Sequence, residues 1–152
     1  MEWAIEARVA SPLPDPTYAF DPVRSQYGSA RILTELLERA APGAERILGV
    51  TDRDLFIPML SYVYGHAQFK GRAAVVSLAR LRQEFYGLPP MRALFLARAA
   101  KEAVHEIGHT LHLTHCDDYR CAMAPSHAVE WIDLKESSLC DACRAQALQI
   151  SA

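Results

Sequence analysis

One stretch constrains this chain more than any other: HEIGHTLHLTHC, residues 105–116. Twelve residues hold four histidines, one acid and one cysteine. His105 and His109 are four positions apart, so on a helix they project about 40° from each other on adjacent turns. That spacing lets two imidazoles share one zinc ion at ~2.0–2.1 Å. Glu106 is turned about 100° from His105 and can reach the side of the metal where water binds. Water on zinc loses a proton near neutral pH. A carboxylate beside it can take that proton and pass it to a leaving amine. H-E-x-x-H on a helix thus reads as the core of a metal hydrolase. The plainer reading is a helix whose histidines are partly buried.

A hydrolytic zinc site takes three protein ligands and leaves one position open for water. On a continued helix His112 shares a face with His105, about 20° away, but lies roughly 10.5 Å along the axis. Two rings from one straight helix strain to meet across that gap. His115 is placed better if the helix breaks near His112 and the chain folds back. Histidine is among the non-glycine residues enriched in the left-handed backbone region. The expectation is His115 as third ligand and His112 as a turn residue with positive φ.

All four cysteines follow residue 115: Cys116, Cys121, Cys140 and Cys143. They make C-x4-C, a gap of eighteen residues, then C-x2-C. This fits a tetrahedral Zn(Cys)4 site, which is closed to water and structural. Two disulfides or a redox C-x-x-C pair are the alternatives. Neither a secretory signal nor a thioredoxin-like arrangement accompanies them.

The 152 residues amount to about one domain, and half are apolar, enough for one core. A net charge of −2 gives no electrostatic case for nucleic acid or an anionic membrane. No apolar run reaches the ~18 residues of a membrane span. The start lacks a basic segment followed by an apolar one, so it does not read as a signal peptide. A soluble, cytoplasmic, monomeric protein is expected.

Along the chain, residues 3–9 alternate as a strand does, and residues 11–22 form a proline-rich loop. Ser29 is a plausible N-cap for a helix with Ile32, Leu33, Leu36 and Leu37 on one face, stopped by Pro42 and Gly43. Residues 46–50, 59–69 and 72–81 read as strands, the last either a core strand or an edge for an extended peptide. Residues 90–112 predict a helix of roughly 34 Å, with Pro90 in its first turn. Residues 113–136 read as loop. Residues 137–150 predict a closing helix, with Ser138 and Asp141 at capping-box spacing. Together these make a chain of the α/β (α+β) class. His66 and His127 read as packing or surface residues, though His127 could line a substrate pocket. Lys101 and Glu102 read as a solvated face or as support for the site.

H-E-x-x-H-x5-H with a downstream Met resembles the metzincin metalloproteases. Cys116, Cys121, Met123, then sixteen residues, then Cys140-Asp-Ala-Cys143, narrow this to a resemblance to the archaemetzincin family. The segments VVSLARL and KEAVHEIGHTL carry it as well, so the likeness spans roughly residues 46–143. The resemblance implies one metzincin-like domain over residues 1–152. Residues 1–112 would hold the sheet and active-site helix, and 113–152 the Met-turn, the cysteine site and a C-terminal helix. It implies a twisted, mostly parallel sheet with an antiparallel edge strand. His105, His109 and His115 would bind catalytic zinc, Glu106 would act as general base and acid, and Met123 would form the turn beneath the metal. Two Zn2+ per chain and a peptide or protein substrate follow. The chain departs from the family at His112, where Gly is usual, and in a spacer after Met123 one residue off the usual length. Pro125 stands two residues after Met123, so the tyrosine ligand of some metzincins is absent. The rival to a peptidase is a zinc-stabilised module that binds peptide or protein without cutting it.

Overall fold

The computed structural model describes residues 6–151. In chain order the elements are β1 (Phe20–Asp21), β2 (Gln26–Gly28), α1 (Ser29–Arg39), β3 (Ile47–Thr51), β4 (Leu55–Phe56), β5 (Gly65–Ala67), β6 (Ala73–Ser77), α2 (Arg92–Thr110), α3 (Val129–Leu134) and α4 (Asp141–Ser151). Short 3-10 turns cover Thr17–Ala19, Ala79–Leu81 and Gln83–Tyr86. The α/β class and the long helix are as the sequence led us to expect.

The strands form two small mixed sheets, ordered β1-β2-β4 and β3-β6-β5. Each has one parallel and one antiparallel pair: β2 with β4 and β3 with β6 run parallel, β1 with β2 and β5 with β6 antiparallel. The antiparallel edge strand of the second sheet is β5. Strand β6 lies in the middle, with all five residues buried. Its run Ala-Ala-Val-Val-Ser is what a strand covered on both faces requires, with α1 on one side and α2 on the other. It therefore offers no edge to a peptide.

Helix α1 buries Ile32, Leu33 and Leu36 against Leu55, Ala73 and Val75. Each such side chain contributes about 2 kcal/mol of burial. Gly28, not Ser29, holds the cap position, and no side chain caps the helix. Ser29 Oγ is drawn away instead, 2.8 Å from His66 Nδ1 and 3.2 Å from the Phe56 carbonyl. The same pair gives His66 its place.

Several local expectations shift. The strand expected over 3–9 falls partly outside the described residues, and residues 6–9 form no strand. The loop 113–136 contains α3, six residues whose Val129 and Ile132 are buried with Tyr64, Val76 and Leu81. A helix this short is stabilised by tertiary packing, which local periodicity does not announce. Helix α2 starts at Arg92, so Pro90 precedes it. Helix α4 starts at Asp141, so Ser138 lies outside it. Among the described residues no helix is long and apolar enough to cross a membrane.

Helix α2 inverts the usual pattern, because its inward face carries charge. Arg98, Glu102, His105 and Glu106 are all buried. Arg98 forks onto both carboxylate oxygens of Asp133 at 2.7 and 2.8 Å and donates to the Leu81 carbonyl at 3.0 Å. Lys101 Nζ donates to the Ile132 carbonyl at 3.2 Å. These contacts fasten α3 to α2, so Lys101 and Glu102 are not a solvated face.

Candidate metal centres

Helix α2 ends in a turn that builds half of the first centre. The Leu113 N–H donates to the Gly108 carbonyl at 3.0 Å, and the His112 N–H to the His109 carbonyl at 3.2 Å. This pair of bonds is a Schellman motif, with His112 at the position usually given to glycine. Its φ is +68°, in the left-handed region, as the reach from His105 requires. The turn buries Leu111 and Leu113 completely and sends the chain back toward α2.

His105, His109 and His115 come together. Their candidate ligand atoms lie within 4.8 Å of one another. The ring centroids form a near-equilateral triangle, with sides of 4.7, 5.2 and 5.1 Å. His112 is not part of this group. His105 is buried and His115 exposed, so the triangle opens to solvent on one side.

Backbone carbonyls orient two of the rings. His105 Nδ1 lies 2.8 Å from the Ala122 carbonyl, and His109 Nδ1 lies 2.9 Å from the Leu113 carbonyl. A carbonyl only accepts, so each Nδ1 carries its proton and each neutral ring presents a bare Nε2. Those two Nε2 atoms are 3.2 Å apart. Two lone pairs facing each other repel, and a cation between them removes the repulsion. Burial pushes the His105 imidazole well below its ordinary pKa, with Lys135 and His109 adding to it. Burial also lowers His109, and it lowers His115 together with the charge of His109. All three rings are thereby held in the neutral form that ligates metal.

Glu106 is buried beside this triangle. Burial raises its carboxyl well above the ordinary range, Glu102 adds to the rise, and Lys135 opposes it. Strand β5 sets the position of the carboxylate. A Cβ at Gly65 would lie 2.6 Å from Glu106 Cγ and 2.7 Å from its Oε1, so only glycine lets the two elements close. Gly108 plays the same part on the far side of α2, where a Cβ would run into Met123 Sδ. Met123 is fully buried beneath the histidines' helix, packed with Leu111 and Leu113.

The second centre gathers Cys116, Cys121, Cys140 and Cys143, also within 4.8 Å of one another. All four thiols are free. Backbone N–H groups of Met123 and Cys140 point at Cys121 Sγ from 3.4 and 3.3 Å, which suits a thiolate. Burial raises Cys116 and Cys143, while the Cys143 backbone N–H holds Cys140 down. Four thiols this close share charge poorly without a cation, so the donor set fits a closed, soft-ligand metal site.

Sequence reading had passed over Gly65, Arg98 and Lys135. Gly65 sits in an apolar run with nothing to mark it. Lys135 lies between Leu134 and Glu136 and reads as surface, yet its side chain is fully buried. His127 lies at the rim, where its carbonyl accepts from Tyr62 Oη at 3.2 Å and its ring meets Trp131 edge-on at 6.0 Å.

His112→Gly relieves a left-handed non-glycine residue, which costs about 1 kcal/mol. Stability is expected to stay equal or rise by up to about that amount, with metal bound as before. His115→Ala, in contrast, is expected to release metal from the histidine site. Thermal melts with metal analysis of the two variants read both outcomes. Loss of that metal from the glycine variant would reverse the roles of the two histidines.

The profile of peptidase family M54 matches residues 23–149. The archaemetzincin of Methanocaldococcus jannaschii is 46% identical over 129 residues, covering 84% of this chain and 69% of its own length. That of Halobacterium salinarum is 42% identical over 142 residues, covering 91% and 81%. The crystal structure of archaemetzincin from Methanopyrus kandleri superposes with a TM-score of 0.80 at 39% identity, covering 90% of this chain and 72% of that one. A zinc-dependent peptidase from Methanocorpusculum labreanum gives 0.81 at 33% identity, covering 88% and 80%. With a family profile spanning both centres and relatives this similar along most of its length, the chain belongs to peptidase family M54, the family of the archaemetzincins.

Proposed function

We propose that the protein hydrolyses peptide bonds with a catalytic zinc at His105, His109 and His115, and holds a second, structural zinc at Cys116, Cys121, Cys140 and Cys143. The observation that carries the reading is the pair of bare Nε2 atoms 3.2 Å apart, each ring locked by a carbonyl behind it. Zinc held by three imidazoles supplies Lewis acidity to a water and to the scissile carbonyl. Glu106, one residue along α2 from His105, takes the proton of the attacking water. It then returns that proton to the leaving amine, so one carboxyl serves as base and acid. Its buried setting suits the task, since burial raises the carboxyl's pKa and makes its carboxylate a stronger proton acceptor. Glycine at position 65 keeps β5 from displacing it. The cysteine centre ties the segment after His115 to the start of α4, with Met123 inside the fastened stretch. A peptide or protein is the substrate, and the chain acts in the cytoplasm as a monomer.

Metal analysis of protein purified without chelators is expected to give two zinc ions per chain, matching the two donor sets. The cysteine-bound ion is expected to resist chelators longer, being closed and thiolate-rich. A single ion, or none, counts against the reading. Turnover of mixed peptides by the same preparation separates a peptidase from a zinc-stabilised binding module, which would hold both ions and cut nothing.

A further inference from the structure

Met123 lies in a segment whose three consecutive carbonyls are each taken by a different part of the fold. The Ala122 carbonyl accepts from His105 Nδ1–H on α2 at 2.8 Å. The Met123 carbonyl accepts from the Cys116 N–H at 2.9 Å. The Ala124 carbonyl accepts from Lys135 Nζ at 3.1 Å. Lys135 is the first residue past α3, and its side chain has no exposed surface. Its Nζ also lies 3.0 Å from Glu102 Oε1, one turn of α2 before Glu106. That contact is an ion pair off the line of a well-directed hydrogen bond, since Glu102 Oε1 receives no directed donor.

Burying an ammonium and a carboxylate is unfavourable, and an apolar pair of similar volume often serves the fold equally well. What an ammonium adds is a charge and a donor on one group. It can hydrogen-bond one segment and ion-pair with another at once. Here the two are Ala124, two residues past the carbonyl that orients His105, and Glu102, three residues before His105 on its own helix. Groups that orient a metal-ligating histidine from behind tune how tightly the metal is held.

We propose that Lys135 is a positioning residue of the peptidase centre. Its ammonium ties the Met123 segment to Glu102 on α2 and so fixes the Ala122 carbonyl that sets the His105 ring. The consequence for metal rests on the zinc reading above, whereas the placement concerns only this chain's own groups.

The test is the double variant Glu102→Leu with Lys135→Met, which removes both charges and keeps the volume. Three quantities are compared with wild type: the melting temperature, hydrogen exchange of the His105 Nδ1–H by NMR of 15N-histidine protein, and zinc retention against a chelator. The melting temperature is expected to stay within a few degrees. The imidazole N–H is expected to exchange at least ~10-fold faster, and the histidine-site zinc to be held ~10-fold to 100-fold less tightly. A purely structural pair predicts recovery of all three, and wild-type exchange with wild-type zinc retention in the folded double variant would overturn the proposal. Should that variant not fold, the near-isosteric Glu102→Gln reads the same N–H. Faster exchange supports the role of Lys135, and unchanged exchange removes it. A wild-type protein with the protected N–H but no zinc at the histidines defeats the zinc reading and leaves this placement standing.

Discussion

Glu106→Gln is expected to lower kcat for peptide hydrolysis by about 10^2 to 10^4-fold while both metal centres stay loaded. The range is that of a general acid–base group removed from its reaction. Glutamine keeps the shape that fits against Gly65 but accepts no proton. The fold should not suffer, because burial disfavours the charged carboxylate there and glutamine is neutral. Its folded pKa lies well above the ordinary value. The folded chain therefore binds that proton more tightly than the unfolded one, and stability falls as pH rises from the ordinary carboxylate range toward the raised value. With the histidine-site metal removed, the glutamine variant is expected to lose less stability than wild type as pH rises, the lowered pKa values of His105, His109 and His115 acting in the opposite sense in both proteins. Steady-state kinetics with metal analysis test the first statement, and melts across pH the second. Peptide turnover at the wild-type rate would end the assignment of Glu106 as base.

Cys140→Ser with Cys143→Ser is expected to lower the melting temperature by roughly 10 °C. A metal present at about a thousand times its dissociation constant stabilises the folded state by about 4 kcal/mol. In a chain of 152 residues that corresponds to roughly that shift. The loss should be local at first, because Leu139 and Ala147 pack with Met123 and Leu113 around the cysteines. Hydrogen exchange is expected to loosen α4 and residues 113–124 before the sheet. Activity should fall with them, since the Met123 carbonyl is held by the Cys116 N–H. An unchanged melting temperature in zinc-loaded protein would show that these thiols hold nothing.

Much of the fold was legible where one element follows its own period. Helices α1 and α2 and strands β3 and β6 fall within a few residues of their predicted ranges. The misses share a cause. Strands β1, β2 and β4 are two or three residues long, too short for periodicity to show. Helix α3 exists because Arg98 and Lys101 on α2 grip it, and neither partner marks the other in sequence. The expected strand over 59–69 contracts to Gly65–Ala67 because only that part pairs with β6.

The sequence by itself determined the candidate donors: three histidines at H-x3-H-x5-H, four cysteines in two pairs, and one acid adjacent to His105. It also led to the expectation that the helix breaks near His112, because two rings from one straight helix strain to meet a third at the same ion, and the chain does turn there. Both follow from helical geometry and ligand chemistry, which are local. Only the folded structure decided which tautomer the His105 and His109 rings adopt, through carbonyls at Ala122 and Leu113. It alone placed Gly65 against the Glu106 carboxyl and Lys135 beneath the Met123 segment. Apart from His109 with Leu113, which are four residues apart across the turn, those are contacts between residues eleven or more apart in the chain. Their physics is burial and hydrogen-bond satisfaction in a packed interior, which no local pattern of residues encodes.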